Sequence, residues 1–70
     1  MPEKLDSFIL QDALGLSENE LFKRAMMSAQ YRAEIMGWID ISVERTNDPP
    51  FSEGEFTCYT FDLLGTDTAF

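Results

Sequence analysis

One well-capped helix takes up more than a quarter of this 70-residue chain and limits what the remainder can build. Ser17-Glu18-Asn19-Glu20 is a capping box, in which the Ser17 hydroxyl accepts from the Glu20 amide and the Glu20 carboxylate reaches back to the Ser17 amide. Gly37 is the natural terminator, so the helix is predicted to run from Glu18 to about Met36. At about 100° per residue, Phe22, Ala25, Met26, Ala29, Ala33 and Met36 fall in one stripe. Its alanines, Ala25, Ala29 and Ala33, let another helix approach closely, either an earlier helix of the same chain or that of a symmetry mate. Met27, Tyr31 and Ile35 lie on the far side of the same helix. A helix buried on one face does not need them, so later strands cover them or they form the interface of a homodimer.

Around this helix the sequence suggests three further elements. Residues 2–14 read as a first helix, with Pro2 near its start, Leu5, Phe8, Ile9 and Ala13 on roughly one face, and Gly15 to end it. After Gly37 the period changes to two, with Ile39, Ile41 and Val43 alternating with polar residues, which predicts a strand over about 38–46 opened by Trp38. Asn47-Asp48-Pro49-Pro50 and Ser52-Glu53-Gly54 form a loop, since the prolines cannot donate to a sheet ladder. Residues 55–64 are rich in aromatic and β-branched side chains and read as a second strand. Residues 66–70 are left as a frayed tail unless Phe70 docks. The expected fold is a single α+β domain, a helical hairpin followed by a two-stranded antiparallel β-hairpin, forming a dimer.

Size reinforces the expectation of a second subunit. An 8.0 kDa chain buries only a small core. Lone Cys58 cannot close an intrachain disulfide, and without histidine the usual zinc sets are incomplete, so oligomerisation or docking is the remaining source of stability. The missing histidine also removes the side chain best suited to proton transfer near neutrality. The chain is therefore expected not to be an enzyme and to carry no cofactor or metal. No signal peptide or 18-residue apolar run is visible, which predicts a cytoplasmic protein that does not bind membranes.

Charge points to the kind of partner. Thirteen acids face five bases, for a net charge of −8. Residues 47–70 hold five acids, no base, and five of the nine aromatic residues. Acidic and aromatic side chains together suit a contact with a basic protein surface. The expected function is a small acidic modulator that inhibits or regulates a larger protein, of the kind phages and mobile elements encode, acting in the host cytoplasm. Tyr31, Trp38, Phe51 and Phe56 are the candidate anchors, and Asp48, Glu53 and Glu55 would steer association. One alternative is a nucleic-acid mimic whose carboxylates occupy a DNA- or RNA-binding groove. Another is a DNA-binding regulator, because Ala13-Leu14-Gly15-Leu16-Ser17 is similar to a helix-turn-helix turn. Glu18 and Glu20 would then meet phosphates with like charge, so direct nucleic-acid binding is disfavoured.

Overall fold

The structure, a computed structural model describing residues 2–68, contains five elements: β1 (Glu3–Asp12), α1 (Glu18–Met36), β2 (Trp38–Arg45), β3 (Phe51–Glu53) and β4 (Phe56–Asp67). The strands form one antiparallel sheet in which β4 is central. It pairs with β1 along one edge and with both β2 and β3 along the other. No helix among the described residues is long and apolar enough to cross a membrane.

This sheet corrects the expected helical hairpin and two-stranded hairpin. Residues 2–14 do not form a helix, because Glu3–Asp12 is a strand paired with β4 from Glu3 opposite Gly65 to Asp12 opposite Thr57. The physical reason lies far away in sequence. A twelve-residue β4 offers two edges of backbone donors and acceptors, and β2 and β3 together satisfy only one of them. The Leu14-Gly15-Leu16 segment thus links a strand to a helix, which removes the helix-turn-helix geometry. Thr66 and Asp67 belong to β4 instead of a frayed tail, while Phe70 lies outside the described residues. The dimer expected from sequence is not visible in a single chain.

Helix α1 is delimited by local chemistry. The Ser17 hydroxyl accepts from the Glu20 amide at 3.4 Å, and Gly37, left-handed at φ 77°, donates its N–H to the Ala33 carbonyl. Its buried residues, Leu21, Ala25, Ala29 and Ala33, recur every four positions and form a ridge of small side chains. Against that ridge the sheet presents Phe61 and Leu63, both fully buried. The Phe61 ring stacks on Phe8 of β1 at 5.8 Å and meets Phe22 of α1 edge-on at 5.4 Å. The buried stripe differs from the expected one at its ends, since Leu21 is buried and Met36 is exposed.

Two polar contacts lock the helix to the sheet. The Arg32 guanidinium bonds Asp6 of β1 at 2.8 Å and sits over the Phe8 ring, and Arg45 of β2 bonds Glu18 at 3.1 Å while lying over Tyr59. A third contact sets the β1–α1 connection. The buried Asp12 carboxylate accepts from the amides of Leu14 and Leu16 at 2.8 and 2.9 Å, so the chain turns from strand into helix around one side chain. These amide bonds hold the Asp12 carboxyl below its ordinary value, with Arg24 adding a smaller effect in the same direction.

Truncation of the central side chain, Phe61→Ala, is expected to cost about 3–5 kcal/mol. A urea midpoint shift worth less than about 1 kcal/mol would contradict the packing just described. Acid stability provides a second test. Because the folded carboxyl of Asp12 ionises at lower pH than the unfolded one, its contribution is full well above the ordinary aspartate value near 3.9 and is lost as pH falls through the lowered folded value. Asp12→Asn should therefore be less stable than the parent at pH 7 and lose less stability between about pH 5 and pH 2. Parallel curves for the two proteins would refute this role.

Candidate functional site

The most distinctive surface grows out of the β2–β4 connection. Thr46 accepts from the Asp48 amide at 3.3 Å, starting a turn that Pro49 and Pro50 carry away from the ladder. The chain then re-enters the sheet as the three-residue β3. Glu53-Gly54-Glu55-Phe56 closes the hairpin, and the positive φ of Gly54 alone among its two central residues fits a type II′ turn. Phe51 lies opposite Cys58, and Glu53 lies opposite Phe56. Side chains alternate across a strand, so Phe51, Glu53, Phe56 and Cys58 share the sheet face opposite to the one that carries Phe61 and Leu63 under α1.

That face is apolar and acidic at once. Phe51 and Phe56 remain 43% and 40% exposed, and Ile9 of β1, on the same face opposite Thr60, is 55% exposed. Cys58 beneath them is fully buried, the place of a small hydrophobic filler. Glu53 and Glu55 stand at the hairpin tip and Asp48 in the loop leading to it, all exposed, with no base in the sequence beyond Arg45. Arg45 itself turns to the helix side, over Tyr59. Four of the residues singled out from sequence, Phe51, Glu53, Glu55 and Phe56, are thus brought to one end of the sheet, while Asp48 lines an open groove further along it with Lys4, Ser7, Glu44 and Asp62.

The other two anchors lie elsewhere. Trp38 opens β2 opposite Asp67, at the far end of the twelve-residue β4 from Phe56. It is half-buried and lines an open groove of about 410 Å³ with Leu5, Asp6, Arg32, Ile35 and Met36. Tyr31 is on the outer side of α1, between Met27 and Ile35. These three helix residues are 70%, 68% and 65% exposed, so the strands do not cover them. Ile9 is not among the sequence-based anchors because its spacing from Leu5 and Phe8 also fits the apolar face of a helix. The signal was present as alternation, since Phe8 and Leu10 turn inward while Ser7, Ile9 and Gln11 turn outward.

Acids also extend along the outer face away from the hairpin. Glu44 of β2 lies directly opposite Asp62 of β4, and Asp62 is held by Lys4 at 3.5 Å and by the Ser7 hydroxyl at 3.1 Å. In comparison with known proteins, the chain matches no family model, no curated protein and no solved structure.

Proposed function

We propose that this chain is a protein-binding modulator that docks its acidic, aromatic β3–β4 hairpin on a basic patch of a larger protein. The observation that carries this reading is the pairing of two part-exposed phenylalanines, Phe51 and Phe56, on one face with Glu53 and Glu55 beside them, Asp48 standing exposed in the loop before the hairpin. Aromatic side chains supply contact area at little entropic cost, and exposed carboxylates raise the rate of encounter with an oppositely charged surface. A two-residue turn holds the tip, so little ordering is required on binding. Tyr31 and Trp38 lie outside this hairpin surface, and the docking site is narrowed to Phe51, Glu53, Glu55 and Phe56, with Asp48 in the loop before them.

A second reading, mimicry of nucleic acid, is favoured by Glu44 standing across from Asp62, which carries the acidic face past the hairpin. The paired Lys4 interrupts that series, so the hairpin reading is preferred.

Capture from cell lysate at low and high salt, with the parent chain and two hairpin variants, tests the proposal. A protein retained by the parent at low salt should be lost at high salt. Glu53→Lys with Glu55→Lys should slow its association, and Phe51→Ala with Phe56→Ala should speed its release by roughly tenfold or more. Identical retention and rates for all three chains would reject the hairpin as the docking surface. Displacement of the captured protein by duplex DNA or RNA would favour mimicry.

A further inference from the structure

The two edges of the sheet are not equivalent. The β2 edge is interrupted, since Asp40 takes a positive φ of 52° and the register with β4 shifts between Ile39 and Ser42. Among the described residues, no strand pairs with the outer edge of β1, and past the irregularity at Leu5 its register with β4 is unbroken from Asp6 to Asp12. Uninterrupted edges of this kind are usually blunted by charge, proline or a bulge. Here the central stretch is Ser7-Phe8-Ile9-Leu10-Gln11, with no charge at all.

The backbone direction along this edge follows from one bond. The Thr60 carbonyl accepts from the Thr46 amide at 3.1 Å, so the polar backbone groups of Thr60 point away from β1. Its partner Ile9 is therefore in a non-hydrogen-bonded pair and directs its N–H and C=O to the open edge, as do Ser7 and Gln11 by alternation. The Ser7 amide is already taken by the Asp6 carboxylate at 2.8 Å.

We infer that a second copy of this chain occupies the β1 edge, pairing antiparallel about a two-fold axis at Ile9 so that the two sheets become one. Ile9 then lies opposite Ile9 of the second copy and exchanges two hydrogen bonds with it, and each Gln11 amide donates to a Ser7 carbonyl. The exposed Ile9 side chains meet across the axis on the outer face. Asp6 falls opposite Asp12 of the second copy, but each carboxylate already has its own partners, Arg32 for one and two amides for the other.

Three further observations fit a second copy. First, charge is balanced on this side. The acids that flank the paired stretch have cations beside them, Arg32 at 2.8 Å from Asp6 and Arg24 acting on Asp12, while Lys4 bonds Asp62 on the outer face. Second, the helix side has something to contribute. With α1 packed over β4, two copies would set their helices about 14 Å apart, three strand spacings, which exceeds the 8–10 Å of direct helix contact. Large side chains must fill that gap. Arg32 marks the flank of α1 facing β1, and Ile35 and Tyr31 lie about 60° and 100° further out on that same flank, both largely exposed. Third, the paired stretch is continuous. About an axis at Ile9, residues 6–12 of each copy lie opposite one another, about 24 Å of strand, and Ile9 at the centre of that stretch is 55% exposed. The hairpin docking surface is at the sheet end and does not enter this inference.

Sedimentation of the full chain should give twice the 8.0 kDa mass at micromolar concentration. Ile9→Lys and Ile9→Glu, each placing like charges across the axis, should separately weaken the dimer by roughly tenfold or more. Mixed together they should restore it, which only a register placing residue 9 opposite its own copy would do. Amide exchange on the unmodified chain needs no variant: the Ile9 and Gln11 amides should become protected as concentration rises. A mass of 8.0 kDa at all concentrations, a dimer untouched by Ile9→Lys, or concentration-independent exchange at Ile9 would overturn the inference.

Discussion

Everything in this molecule depends on β4 being paired on both sides while Phe61 and Leu63 are pressed under an alanine ridge. The two facts are coupled. A central strand has no backbone group left for solvent along its middle, so its inward side chains can be fully desolvated without leaving its backbone groups unsatisfied. Alanines at 25 and 29 let α1 come down onto that strand, and the large rings of Phe8 and Phe22 fill the flanks. Gly65 extends the same logic toward the end of β4. A Cβ there would approach the Ile39 carbonyl oxygen at 2.9 Å, so β2 and β4 come close where β2 kinks.

A single helix on one face leaves the other face of the sheet without a layer. Among the described residues no element covers that face, and Ile9, Phe51 and Phe56 stand exposed on it. The hairpin of β3 and β4 sits at one end of it with phenylalanines and carboxylates interleaved, while the helix exposes Met27, Tyr31 and Ile35 on the opposite side of the molecule. The charge distribution separates these surfaces. Acids without a neighbouring base in the sequence surround the hairpin, whereas at β1 Lys4 bonds Asp62 and Arg32 bonds Asp6. The proposed docking surface and the proposed self-association edge can coexist on so small a body because one lies at the β3–β4 hairpin and the other along the outer edge of β1.

What the sequence made legible was what local chemistry decides. Ser17 and Gly37 bound the helix because a hydroxyl cap and a left-handed glycine act within one turn. The strand after Gly37 announced itself through the alternation of Ile39, Ile41 and Val43, and the aromatic run from Phe56 onward through β propensity. Residues 3–12 are ambiguous in sequence because Leu5, Phe8 and Ile9 satisfy a helical spacing as well as Phe8 and Leu10 satisfy a strand's, and only pairing with residues more than forty positions later decides between them. Of the candidate site, composition indicated the acidic, aromatic end, and the two-residue turn at Gly54 explains why those residues cluster. Ile9 and the separation of Trp38 from the hairpin required the register.

The placement of residues 3–12 against β4 is the claim on which the open edge, the outer face and the hairpin's position all rest. The most direct measurement is a search for short contacts between backbone α-protons in the folded protein by nuclear magnetic resonance. Ile9 and Thr60 form a non-hydrogen-bonded antiparallel pair, whose Cα atoms approach to about 4.5 Å, so a strong contact between their α-protons is predicted. Contacts between residues three apart along Glu3–Asp12, the signature of a helix, with none from Ile9 to Thr60, would contradict the account.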